Sequence, residues 1–172
     1  LVNHLRENIE SLRAAYQQFM PPRQPVKAVS VIRIFATAEE FCRYLEVDNK
    51  TWLGGMWTTA HRELVIRPPE GGDTKDQTDR LMRIVYHEAF HQYQFYAFDE
   101  VSSSLWFDEG HAGFYENAVI RGDKFDVQED RGRVAAIDEA IRANTVNLRD
   151  LLAMDHTTFY AKDEKAAQKN YA

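Results

Sequence analysis

The chain has 172 residues, 44% hydrophobic and 28% charged, the profile of a soluble globular protein with length for one domain and a real core. A net charge of -6 and a pI near 5.5 give no suggestion of binding to nucleic acid or to an anionic membrane surface. No apolar run approaches the roughly 18 residues of a membrane span, and Cys42, the only cysteine, has no partner for a disulfide within the chain.

In chain order, residues 3–20 place Leu5, Ile9, Leu12, Tyr16 and Phe19 at helical steps of three and four, and Pro21, Pro22 and Pro25 end that helix. The β-branched run VKAVSVIRIFA predicts a strand over 26–36. Thr37 followed by Glu40 reads as a capping box that opens a helix to about Val47. Residues 54–58 and 62–67 read as a two-stranded hairpin, and PPEGGDTK (68–75) as a loop. Asp76 or Thr74 can cap a long helix to about Phe98, and a further helix is expected over 104–120, closed by Gly122. Helical patches follow at 128–143 and 148–154, and the last, 162–171, is cut short at Ala172. This order predicts an α+β fold: a small sheet followed by a mainly helical C-terminal part. Because the chain opens on Leu1 and stops inside a helical pattern, it reads as one domain trimmed at its C-terminus; the compartment stays open, and a periplasmic or secreted location fits if a signal peptide has been removed.

The chemistry concentrates in YHEAFHQYQFYAF, residues 86–98. Residues four apart on a helix differ by about 40° in direction, so His87 and His91 project from one face, where two neutral imidazoles can close on one zinc ion. Glu88 lies about 100° round from His87, off the metal but placed to reach a water bound there, the division of labour in H-E-x-x-H. The plainer reading is a buried aromatic helix whose histidines are only hydrogen-bonded. Tyr86, Phe90, Tyr93, Phe95, Tyr96 and Phe98 surround most of this helix and are most simply core.

Downstream, Trp106-Phe107-Asp108-Glu109-Gly110-His111-Ala112 completes a pattern that resembles the gluzincin metallopeptidases, the clan of thermolysin and the zinc aminopeptidases, in which H-E-x-x-H is followed by W-x-x-E-G-x-A. The nearest resemblance is to a poorly characterised bacterial family of that clan; it spans about residues 29–172, with its sharp motifs confined to 87–116. It implies a zincin-like fold, a small twisted, mostly antiparallel sheet over the active-site helix, with Glu109 on the next helix as third zinc ligand. It implies a zinc-dependent peptidase acting on a peptide or protein substrate, with Glu88 as general base.

The resemblance also implies a second stabiliser of the tetrahedral intermediate. Tyr171, in Lys169-Asn170-Tyr171-Ala172, stands at the corresponding interval after Glu109 and is the first candidate; Tyr160, His156 and His111 compete with it, and a core tyrosine is the plain alternative. Asp108 and Glu116 are available to orient the histidine ligands, though spacing does not choose between them and a solvated helix face explains both. Gly55, Met56 and Trp57 fall where the aminopeptidases carry a substrate-binding Gly-x-Met-Glu-Asn segment. Trp57 replaces the glutamate that recognises a free amino terminus, which favours an endopeptidase or another hydrolase; a plain core hairpin is the even alternative. Arg33, Arg62, Arg67 and the acidic stretch 126–130 read as solvated surface. Two other functions share the sequence: a non-catalytic zincin-fold binding module, against which an intact Glu88 argues, and a zinc hydrolase of a non-peptide amide or ester.

Overall fold

The computed structural model describes residues 2–48, 53–68, 70–71, 74–101, 103–121 and 124–160. The N-terminal half runs α1 (Val2–Phe19), β1 (Val31–Ile34), α2 (Ala38–Leu45), β2 (Gly55–Thr58), β3 (Glu63–Ile66) and α3 (Thr74–Ala97). The C-terminal half runs α4 (Leu105–Tyr115), β4 (Ala118–Arg121), β5 (Lys124–Val127), α5 (Arg131–Arg142), α6 (Leu148–Ala153) and α7 (His156–Phe159). The architecture is α+β, with seven helices and two small sheets among the described residues.

The first sheet has three strands in the order β1-β3-β2, with β1 parallel and β2 antiparallel to β3, so it is mixed rather than mostly antiparallel. Alternation along its strands sends neighbouring side chains to opposite faces. Leu64 and Ile66 point into the main core with Val85, Tyr86 and Phe90 of α3, whereas Val65 packs with Phe41 and Cys42 of α2. The sheet thus lies between α2 and α3. Thr37 caps α2 by accepting from the Glu40 backbone N–H at 3.2 Å, which fixes that helix's entry.

The main core joins α1, α3, α4 and the sheet. Leu12, Val85, Phe90 and Ala112 are fully buried there. The Tyr16 hydroxyl, buried with its ring, donates to the Tyr86 carbonyl at 2.7 Å and so satisfies its polar end inside the core. Truncating Phe90 to alanine would cost about 3–5 kcal/mol at such a site.

Besides the mixed sheet and the short helix α7, which the sequence reading did not expect, two elements differ in extent or type. The strand expected over 26–36 is confined to Val31–Ile34, because β3 offers partners only from Glu63 to Ile66 and leaves 26–30 without a ladder. The helix expected over 104–120 stops at Tyr115, and 118–127, read as a helix end and a solvated acidic stretch, form the antiparallel hairpin β4–β5. Val119 and Ile120 are β-branched and lose side-chain freedom in a helix, and the hairpin lays Ala118, Ile120 and Phe125 against the core. Gly122 and the helix expected over 162–171 lie outside the described residues. No helix among the described residues is long and apolar enough to cross a membrane.

Candidate metal centre

Helix α3 carries its apolar residues around most of its circumference because it is covered by α1, the sheet and α4. His87 and His91 occupy the strip that faces α4 and keep a little exposure, 12% and 14% of their side chains, beside a buried Glu109 at 5%. The Glu109 carboxylate reaches both rings: Oε2 lies 3.2 Å from His87 Nε2 and Oε1 lies 3.7 Å from His91 Nε2. One donor atom from each of the three residues falls within 4.8 Å of the others. Tetrahedral ligands at about 2.0–2.1 Å from an ion stand roughly 3.3 Å apart, so the cluster has the span of a closed three-ligand set. Glu109 Oε2 is buried, with His87 Nε2 beside it at 3.2 Å. A buried carboxylate is costly unless a cation meets it; the protonated His87 ring does so in the metal-free site, and these three residues are close enough to hold a metal ion instead.

Both outer ring nitrogens are engaged. His87 Nδ1 meets Glu116 Oε1 at 2.6 Å, and His91 Nδ1 meets Asp108 Oδ1 at 2.8 Å. The pairing fixes how the helices cross. Asp108, in the first turn of α4, serves the histidine nearer the end of α3, and Glu116, just past the end of α4, serves the one nearer its start. The two helices therefore run antiparallel, with Glu109 between. Each carboxylate orients its ring and turns Nε2 toward Glu109.

Glu88 reaches the sheet. Its Oε2 accepts the backbone N–H of Trp57 at 2.8 Å. Burial pushes the Glu88 carboxyl above the usual range, against the pull of His87 and His91, so it holds a proton more readily than an exposed glutamate. Burial works the other way on His87, but the hydrogen bonds of Glu109 and Glu116 outweigh it and raise the imidazole to about 10 in the metal-free site. Glu109 is lowered in spite of its burial, through the His87 hydrogen bond and the charges of both histidines.

Strand β2 forms the edge of the sheet beside this cluster. Arg67 N donates to Gly54 O at 2.9 Å, and in an antiparallel ladder the bonded positions alternate, so Met56 bonds to β3 while the main-chain groups of Gly55 and Trp57 face outward. Gly55 is needed there for close approach: a Cβ would sit 2.6 Å from Ile84 Cγ2 and 3.2 Å from Glu88 Cγ. Trp57 lays its ring against Phe95 and Tyr96 of α3. The Met56 side chain is turned to the opposite face, against the Phe41–Cys42–Val65 cluster, and takes no part in the site.

Of the candidates for a further polar group, the structure brings Tyr160 to the site: its hydroxyl donates to Glu109 Oε1. Asp155 caps α7 by accepting from Thr158 N at 2.8 Å, and Phe159 is buried, so this short helix delivers the tyrosine. The sequence signal for it is the Asp155-x-x-Thr158 cap followed by an apolar residue. His156 packs on the Tyr160 ring at 4.5 Å. His111 bonds back to Phe107 O at 2.7 Å and stacks on Phe90, away from the ligand atoms. Tyr171 lies outside the described residues. The sequence reading did not single out Arg133, whose Nη2 donates to Glu116 Oε2 at 2.6 Å, nor the Trp57 N–H on Glu88. No family model matches the chain, no curated protein matches it in sequence, and no solved structure matches it in fold.

Proposed function

We propose that the protein is a zinc-dependent peptidase built on a zincin-like arrangement, with His87, His91 and Glu109 as the ligands and Glu88 as the general base. One observation carries the reading: the three side chains converge at ligand spacing around the buried Glu109 carboxylate, with a second buried carboxylate, Glu88 on α3, left out of the cluster. A structural ion needs the first feature and not the second. Two imidazoles and a carboxylate suit zinc, which takes mixed nitrogen and oxygen ligands and in catalytic sites keeps three protein ligands.

Zinc bound there supplies Lewis acidity, polarising a substrate carbonyl and lowering the pKa of a water toward about 7. The chain's own residues do the rest. Glu88, held by the Trp57 N–H and given a raised proton affinity by burial, takes the proton of the attacking water and returns it to the leaving amine. Tyr160, whose hydroxyl already sits on Glu109, is the group nearest to hand for hydrogen-bonding the oxygen that gains charge as the carbonyl is attacked. The outward main-chain groups of Gly55 and the carbonyl of Trp57, whose N–H is held by Glu88, offer an edge along which an extended peptide can pair.

The deciding experiment is metal analysis of protein purified without chelator, followed by digestion of casein and a peptide library with and without chelator. Stoichiometric zinc and chelator-sensitive cleavage are expected. Zinc without cleavage of any peptide would move the reading to a non-peptide amide or ester; absence of bound metal after zinc addition would end it.

A further inference from the structure

Arg133 stands in the first turn of α5 and joins three elements. Its Nη1 donates to the Gly113 carbonyl oxygen at 3.1 Å, and its Nη2 to Glu116 Oε2 at 2.6 Å. The other oxygen of Glu116, Oε1, meets His87 Nδ1 at 2.6 Å. Guanidinium, carboxylate and imidazole thus form one continuous line from α5, past the end of α4, to α3. The Arg133–Glu116 pair is largely shielded from water, with side chains 28% and 19% exposed, so it is not the weak ion pair of an open surface.

Gly113 gives Arg133 its place. A Cβ at position 113 would stand 2.7 Å from Arg133 Nη1, closer than nonbonded atoms approach. Glycine weakens a helix interior, so its presence in the middle of α4 needs a local reason, and the guanidinium supplies one. Helix α5 has no buried residue of its own. Its polar ties to α4 and the residues after it, among the described residues, include Arg133 and the capping residue Asp130, which accepts from Asn117 Nδ2 at 3.2 Å. The two histidine limbs are not alike: Asp108, which holds His91, has no arginine or lysine within ion-pair distance among the described residues, whereas Glu116 is braced.

We propose that Arg133 is a positioning residue of the metal centre: seated in the space Gly113 leaves open, it fixes Glu116 and through it the ring of His87, so that the docking of α5 sets how firmly the centre holds its ion. This rests on reading His87, His91 and Glu109 as a metal centre. An unbraced Glu116 is free to turn to solvent, and His87 then loses the partner that selects its tautomer and ring angle.

The test measures zinc affinity by competition with a chromophoric chelator, and the ring nitrogen resonances of the histidines by 15N NMR on metal-free protein. Arg133→Gln is expected to weaken zinc binding about tenfold, and Arg133→Lys, which keeps the charge but not the fork, by less. Gly113→Ala should weaken it comparably although Arg133 is retained, and Gly113→Ala combined with Arg133→Gln should be no worse than Arg133→Gln alone. In both single variants the His87 Nδ1 signal should shift or broaden while that of His91 stays. A tie that merely holds α5 would lower the melting temperature and leave the two histidine signals and zinc affinity as they are; Arg133→Gln within twofold of the parent affinity, with His87 unmoved, overturns the proposal. If the parent protein itself takes up no zinc, the metal reading fails, and the His87 signal alone then decides whether Arg133 orders that ring.

Discussion

The backbone N–H of Trp57 donates to Glu88 Oε2 at 2.8 Å, so the edge of the sheet holds the buried carboxylate of α3, which stands outside the metal-ligand set. The contact gives Glu88 a defined direction, and burial keeps its proton affinity high against the charges of His87 and His91. Glu88→Gln preserves the shape and can still accept that N–H through its amide oxygen. It is expected to leave zinc stoichiometry and melting temperature unchanged and to lower kcat about 10²–10⁴-fold. Alanine at His87, His91 or Glu109 is expected to lose the metal instead. Inductively coupled plasma analysis beside peptide turnover separates the two patterns, and an active Glu88→Gln protein would remove Glu88 from the mechanism.

Two glycines near the site should respond oppositely to alanine. At Gly55 the new methyl meets Ile84 Cγ2 at 2.6 Å, Ile66 Cδ1 at 3.0 Å and Glu88 Cγ at 3.2 Å, on a sheet face packed against α3. Gly55→Ala is expected to cost about 1–3 kcal/mol in urea denaturation and to lower turnover by displacing Glu88. Gly110, exposed within α4, has nothing within 4 Å of a built Cβ. Gly110→Ala should stabilise the protein by about 0.5–1 kcal/mol through helix propensity alone. Equal effects at the two positions would mean that strand β2 does not approach α3 as described.

What could be read from the sequence was local. The common direction of His87 and His91 follows from a helical repeat of four, and the placement of Glu88 off that direction from the angle per residue. The assignment of Glu116 to His87 and Asp108 to His91 could not be read, because it depends on α3 and α4 running antiparallel, which no spacing within either helix encodes. The β4–β5 hairpin was hidden for a related reason: YENAVI continues the helical apolar pattern of α4, and only the contact of Ile120 and Phe125 with the core decides for strands. Arg133 reads as one more surface cation until α5 turns it onto Glu116.

Tyr160 and Tyr171 can be told apart directly. Tyr160 reaches Glu109 Oε1 from a capped helix with Phe159 as its anchor. If its hydroxyl hydrogen-bonds the oxygen that gains charge during attack, Tyr160→Phe should lower kcat about 10²-fold with KM little changed. Tyr171→Phe should then have the smaller effect. Steady-state kinetics on one peptide substrate measures both, and the reverse ranking would return the role to Tyr171.

Glu63 predicts an acid dependence of folding that is independent of the metal centre. Arg33 grips its carboxylate with two parallel bonds, Nε to Oε2 at 2.8 Å and Nη2 to Oε1 at 2.7 Å, and Tyr44 donates to Oε2 at 2.7 Å. These hydrogen bonds, that of Arg33 first, hold Glu63 at about 2 against an ordinary 4.5. A carboxyl lowered on folding adds stability above its unfolded value and gives it up as pH falls from about 4.5 toward 2. The Arg33 side chain is 46% exposed, so solvent screens part of the gain. Urea midpoints of the parent and of Glu63→Gln should therefore differ at pH 6 and converge by pH 2, with Tyr44→Phe lying between them at pH 6. A gap that stays constant over that range would mean that the Arg33–Glu63–Tyr44 cluster, which ties β1 and β3 to α2, does not form in solution.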